Sequence, residues 1–136
     1  MDYSYALTPF LTWLVAGLLK FLVNSIKSDR LLVGYGGLPS NHSAMVTSMA
    51  MLIALKEGIG HPAFGVALTL AFIVMLDAYS LRRQVGKHAV AINKMAVSSA
   101  DHQALRERMG HTGLEILAGV VVGVTVAAAV NAILTG

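Results

Sequence analysis

Four stretches of this chain, residues 6–26, 43–55, 63–76 and 112–134, are apolar almost throughout, and polar segments separate them. That pattern constrains the fold more than any other feature. The hydrocarbon layer of a bilayer is about 30 Å thick and takes about 20 apolar residues of helix to cross. The first and fourth blocks have that length. The third is uncharged up to Leu76, then meets Asp77 and runs into Leu81-Arg82-Arg83. The second is short: it crosses only if residues 38–42 are counted with it, and otherwise reads as a re-entrant or partly embedded helix. Apolar residues make up 56% of the chain and charged residues 12%, about half the charged share of a soluble domain. A soluble protein of 136 residues has too much surface to cover with so little polar material.

The expected architecture is therefore all-α: one structural unit over residues 1–136, a polytopic membrane bundle of about four transmembrane helices. A short amphipathic helix is expected in the third loop, with Ser98, Ser99 and Asp101 as its start signal and Gly110 as its stop. The N-terminal Met-Asp-Tyr-Ser-Tyr lacks the basic start and cleavage site of a signal peptide, so the first block is expected to remain in the mature protein. The absence of cysteine excludes disulfides and thiolate metal sites. The net charge of +3 does not argue for nucleic acid, because the basic residues flank apolar blocks and have few aromatics among them for base stacking.

With four spans, Lys27 and Arg30 share a side with Arg82, Arg83, Lys87, Lys94, Arg106 and Arg108, while the opposite loop holds only Lys56. Positive charge in short loops favours the cytoplasm. The expectation is a multi-pass protein of the cell (inner) membrane, with both basic loops cytoplasmic and both termini outside.

Ionisable groups in or beside spanning segments are costly and mark functional sites. Four clusters qualify. Pro39-Ser40-Asn41-His42 follows a glycine-rich loop and starts a helix, where exposed amides bind phosphate; the competing reading is a simple N-cap. His111 and Glu115 are four residues apart, on a face that continues through Gly119, Gly123 and Ala127, small residues that permit close packing in lipid. A carboxylate there would orient the imidazole as nucleophile or base. The competing reading is a capping box at Thr112-Gly113-Leu114-Glu115. Asp77 needs a partner that Arg82 or Arg83 can supply, and paired arginines also suit phosphate. Lys20, Asn24 and Lys27 share one face of the first block; both lysines also fit snorkelling to the head groups. His61, His88 and His102 read as surface residues, and no histidine pair has zinc-site spacing.

Gly36-Gly37-Leu38-Pro39-Ser40-Asn41-His42-Ser43-Ala44, Asp77 leading into Leu81-Arg82-Arg83-Gln84-Val85-Gly86, and Gly110-His111-Thr112-Gly113-Leu114-Glu115 occur in that order. Together they resemble the small, divergent bacterial-type branch of the type-2 phosphatidic acid phosphatase and vanadium haloperoxidase superfamily. Against the superfamily signature K-x6-R-P, Lys20 matches the lysine, Lys27 stands in place of the arginine and Ser28 in place of the proline. Against P-S-G-H, Ser40 and His42 match, with Asn41 in the glycine position. Against S-R-x5-H-x3-D, His111 matches and Glu115 replaces the aspartate. The arginine of that third motif has no equivalent, since Arg106 lies one residue too close and its neighbour is not serine; Arg82 or Arg83 would take its place.

The resemblance implies a metal-independent phosphatase with no cofactor, acting on a lipid phosphate or polyprenyl (pyro)phosphate. His111 would be the nucleophile, oriented by Glu115, and His42 the general acid and base. Lys20, Lys27, Ser40, Asn41, Arg82 and Arg83 would bind phosphate, with Asp77 in support. Membrane lipids are expected partners and nucleic acid is not. The chain is shorter than six-helix relatives, which makes a homodimer a candidate assembly. The rival expectation is a non-catalytic subunit that binds or transports an anionic lipid.

Overall fold

The computed structural model describes residues 3–26, 37–96 and 103–135. Lys27 and the helix start expected at residues 98–101 lie outside the described residues. All regular structure among the described residues is helical. Helix α1 is Ser4–Ile26, α2 is Asn41–Lys56 and α3 is Pro62–Leu76; a π-helical turn, Asp77–Leu81, joins α3 to α4, Arg82–Ala96, and α5 is Gly113–Thr135. The helix boundaries follow local chemistry. Ser40 caps α2 by accepting the Ser43 amide. His61 caps α3 through its ring, with Pro62 at the first helical position, where a missing N–H costs nothing. Gly58, at φ +88°, turns the chain between α2 and α3.

Among the described residues, three helical runs are long and apolar enough to cross a membrane: Ser4–Ile26, the combined run Pro62–Ala96, and Gly113–Leu134. Helix α2, with 16 residues, is only about 24 Å long at 1.5 Å per residue. The expected count of about four spans thus becomes three helices of spanning length and a shorter fourth between them. Contacts at its two ends set the direction of α2. Beside its N-terminus, a β-carbon on Gly17 would lie 3.8 Å from the Asn41 side chain. At its C-terminus, Lys56 Nζ donates to Ser4 Oγ (2.8 Å) and Tyr5 hydroxyl donates to Glu57 (2.5 Å). Helix α2 therefore runs antiparallel along α1 and leaves at the opposite end. The end with the N-terminus of α2 is the near end of the bundle; that with Lys56 is the far end.

Helix α2 is the hub, with α1, α3 and α5 packed around it. It runs parallel to α5. Gly119 faces Ser40, Ser43 and Ala44, and Gly123, one turn on, faces Ala44, Thr47 and Ser48. A β-carbon at Gly119 would lie 2.5 Å from the Ser40 carbonyl oxygen, and one at Gly123 would press on the Ala44 carbonyl oxygen. The buried positions are mostly small: Thr8, Thr12 and Ala16 on α1; Ser43, Ala44, Ser48 and Ala50 on α2; Ala67 and Ala71 on α3; Ala127 on α5. Large residues such as Phe10, Trp13, Leu68, Phe72, Leu117 and Val121 point outward. Small residues inside and large apolar ones outside is the arrangement of helices packed in lipid, where association depends on close backbone approach.

The third loop differs from expectation. Its helix occupies Arg82–Ala96 and continues α3, whereas residues 103–109 form no helix. The cause is a side-chain clasp. Asn93 Nδ2 donates to the Leu105 carbonyl (2.8 Å) and Asn93 Oδ1 accepts from the Leu105 amide (2.8 Å), so one amide side chain pairs with both backbone groups as a strand would. Nδ2 also donates to Glu107 Oε1 at 2.9 Å. Gly86 leaves room for residues 103–109, a strap laid along α4, since a β-carbon there would lie 2.5 Å from the Glu107 carbonyl oxygen.

Gly119→Ala and Gly123→Ala should each destabilise the bundle by about 1–3 kcal/mol, because the clashing partner is a carbonyl of a packed helix rather than a movable side chain. Gly65→Ala, whose β-carbon meets nothing within 4 Å, should be neutral or stabilising by up to roughly 1 kcal/mol. Thermal unfolding of the three variants in detergent measures the contrast.

Candidate functional site

The start of α5 forms a reciprocal cap. Thr112 Oγ1 accepts from the Glu115 amide (3.3 Å), and the Thr112 amide donates to Glu115 Oε2 (2.9 Å). That same Oε2 lies 3.1 Å from His111 Nδ1. The cap and the histidine pair, alternatives in the sequence, are both present, because a carboxylate oxygen has lone pairs for two donors. The second oxygen, Oε1, accepts from the Gly37 amide at 3.1 Å, so Glu115 also holds the loop that leads into α2. His111 is buried, and its own amide donates to the Ala78 carbonyl (2.9 Å). A carboxylate at Nδ1 favours the tautomer with its proton there, which leaves the Nε2 lone pair for chemistry.

Ser40 is fully buried. Its amide donates to the Glu115 carbonyl (3.0 Å), and its hydroxyl accepts from the Ser43 hydroxyl (3.0 Å) and amide. Its amide thus joins α2 to α5, while its hydroxyl oxygen caps the first turn of α2. Asn41 and His42 follow in the first turn of α2, where helix amides have no partner of their own. Both are half-buried, and the His42 ring feels the charges of Arg82, His111, Lys20 and Asp77. The two histidines are thus neighbours at one end of the bundle.

The two arginines diverge. Arg82 Nε donates to Asp77 Oδ2 at 2.9 Å, while the Arg83 guanidinium lies over the Tyr79 ring, 5.4 Å from its centroid, and its stem packs on Gly110. In an α-helix, residues five apart are about 140° apart around the axis. The π turn, with its i→i+5 bonding, returns Arg82 to the side of Asp77, and the Arg82 amide also bonds to the Asp77 carbonyl. Lys20 reaches the site from α1. It is half-buried, its Cε would lie 3.6 Å from a β-carbon on Gly37, and its charge interacts with those of Glu115 and Arg106.

The near end of the bundle therefore brings together Lys20, Ser40, Asn41, His42, Asp77, Arg82, His111 and Glu115. Arg83 faces Tyr79, and Lys27 lies outside the described residues. Three contributors were not predicted: Gly37 as the anchor of the loop on Glu115, Ala78 as acceptor for His111, and Arg106 on the strap as a nearby positive charge. The first two are backbone contacts across long sequence separations and leave no residue-type signal; Arg106 had been set aside on motif spacing. Among the described residues, no three His, Asp or Glu side chains gather to hold a metal ion.

Residues 2–126 match the family described as the Divergent PAP2 family. The chain is also similar to the uncharacterized membrane protein YuiD of Bacillus subtilis (strain 168), with 30% identity over 122 residues, covering 78% of this chain and 77% of that one. No solved structure matches.

Glu115→Ala removes the acceptor for His111, Thr112 and Gly37 at once. Loss of such charge-assisted bonds should cost about 1.5–3 kcal/mol or more. In the variant the Gly37 amide, which donates to this carboxylate, should exchange with deuterium faster than amides within α2, which hydrogen-exchange mass spectrometry of the detergent-solubilised protein reports.

Proposed function

This chain belongs to the divergent PAP2 family, and on that premise we propose that it is a membrane phosphatase that hydrolyses a lipid phosphate or isoprenoid (pyro)phosphate through a phosphohistidine intermediate. The observation that carries the reading is the His111 Nδ1–Glu115 Oε2 pair, at the same end of the bundle as His42 and among the charges of Lys20 and Arg82.

In the first step His111 Nε2 attacks phosphorus, the P–N bond forms, and the bond from phosphorus to the leaving oxygen breaks. Glu115 balances the charge that develops on the ring. With the phosphate bound, its negative charge offsets the cations around His42 and holds a proton on that ring, which passes to the leaving oxygen. In the second step His42 takes a proton from water, the hydroxide attacks phosphorus, and the P–N bond breaks to release inorganic phosphate and regenerate His111. Lys20, Arg82 and the first-turn amides of Asn41 and His42 hold the phosphoryl oxygens; fixed donors aimed at developing charge contribute most in a water-poor site. Asp77 sets the direction of Arg82, and Ser40 sets the height of α2 against α5. Lys27 completes the cationic set, and Arg83, over Tyr79, binds at the rim. The phosphate enters from the head-group layer while the apolar tail remains in lipid. Arg82, Arg83, Lys87, Lys94, Arg106 and Arg108 all follow the near end of α3 or precede α5, which supports a cytoplasmic site in the cell (inner) membrane.

The test is phosphate release from a panel of phosphatidate, phosphatidylglycerol phosphate and polyprenyl diphosphate in detergent with a metal chelator present. Release should persist under chelation. His111→Ala should abolish it in a protein that remains folded, and His42→Ala should lower kcat about 10²–10⁴-fold. Lipid binding without turnover, weakened by Arg82→Ala but not by His111→Ala, would instead establish a non-catalytic subunit for anionic lipid.

A further inference from the structure

The π turn between α3 and α4 does more than aim Arg82. In an α-helix the Arg82 amide would bond to the carbonyl four residues back, that of Ala78. Here it passes Ala78 over and bonds to the Asp77 carbonyl, five residues back. The Ala78 carbonyl accepts the His111 amide at 2.9 Å. Ala78 is fully buried, and a buried carbonyl without a donor is costly. The π turn withdraws one donor from that carbonyl, and the end of the strap supplies another. The residue that docks there is His111.

The surroundings of this bond are shaped for it. Gly110, at φ +88°, brings the chain down onto the turn. A β-carbon there would lie 3.3 Å from the Ala78 carbonyl oxygen and 3.1 Å from the Arg83 amide nitrogen. Before Gly110 the strap is fixed to α4 by the Asn93 side chain and by the close approach at Gly86. After it, His111 is buried and its ring is held by Glu115. His111 thus has two anchors, a carboxylate on α5 and a carbonyl on the turn that also carries Asp77 and leads into Arg82. Such π turns recur at functional sites. The extra residue is not needed to pair Arg82 with Asp77, because side chains four apart on an α-helix meet as readily. What an α-helical register would not do is leave the Ala78 carbonyl to another segment.

We propose that the π turn is a positioning element for His111: its extra residue leaves the Ala78 carbonyl to seat the His111 amide, which fixes the imidazole against a phosphate held by Arg82. The inference rests on the phosphatase reading above. Ser80 lies in the turn, exposed, with its hydroxyl donating to the Leu76 carbonyl. Deleting Ser80 places Arg82 four residues after Asp77 and Arg83 four after Ala78. The turn can then close as an α-helix that keeps the Asp77–Arg82 pair and gives the Ala78 carbonyl to the Arg83 amide. Ser80→Ala keeps the register and is the control. In detergent, the His111 amide should exchange with deuterium about 10-fold or more faster in the deletion variant than in Ser80→Ala. On the lipid phosphate panel, kcat should fall about 10–100-fold while KM stays within about three-fold, the mark of a misplaced nucleophile rather than of lost substrate binding. Gly110→Ala, which parts the strap from the turn at a loop position, should produce both changes, and it decides the matter if the deletion variant loses its cooperative melting transition. A His111 amide that stays protected in both variants overturns the proposal, and so does full kcat with that amide exposed. If the unaltered protein releases no phosphate, the phosphatase reading fails, and exchange of the His111 amide alone decides whether the turn seats it.

Discussion

Lipid offers helices no hydrophobic reward for coming together, so a bundle in a membrane depends on how closely its backbones can approach. In this protein that condition is met most tightly between α2 and α5. Gly119 and Gly123 remove the side chains that would stand between α5 and the Ser40 and Ala44 carbonyls. Because the two glycines and their partners advance by one turn together, the helices run parallel and their first turns come level. The Ser40 amide then reaches the Glu115 carbonyl at 3.0 Å, and Glu115 Oε1 reaches the Gly37 amide at 3.1 Å. An extra methyl layer at either glycine would push these groups beyond hydrogen-bond range. The placement of His42 relative to His111 follows from the contact of two glycines with two carbonyls, one to three turns away.

Glu115 then turns helix registration into site geometry. It closes the cap of its own helix, takes Nδ1 of His111, and holds the loop that delivers Ser40, Asn41 and His42. An aspartate, shorter by one methylene, has less reach to serve a neighbouring imidazole and an amide from another segment together. In this light, glutamate in place of the superfamily's aspartate suits a site assembled from two parallel helix starts.

Much of this was legible in the sequence because lipid leaves few choices. Long apolar runs, each with a single charge, mark α1 and α5, and the i, i+4 pair of His111 and Glu115 is visible as a pair. The small-residue line through Gly119 and Gly123 was read as a packing face, and it is one. The third loop does hold a helix, but nearer its start than Ser98, Ser99 and Asp101 suggest, and the residue that shapes the rest of the loop, Asn93, acts on Leu105 twelve positions later. Periodicity is blind to a side chain that mimics a strand. The partner of Asp77 stayed open for a related reason: an α-helical register cannot choose Arg82 over Arg83, and the π turn that does so has no residue-type signature. The shared role of Glu115 was also hidden, because cap and ion pair compete on paper for a carboxylate that has room for both.

The brevity of α2 has a consequence for the bilayer itself. A helix of 16 residues covers about 24 Å, against about 30 Å of hydrocarbon, while its neighbours are long enough to cross in full. Such hydrophobic mismatch is relieved by local thinning of the membrane or by water drawn down to the short helix. The first turn of α2, with His42 in it, lies where that dimple forms. Under the proposed function, access to this end of the bundle is coupled to membrane thickness, because a thicker bilayer lengthens the distance a polar head group would descend to reach it.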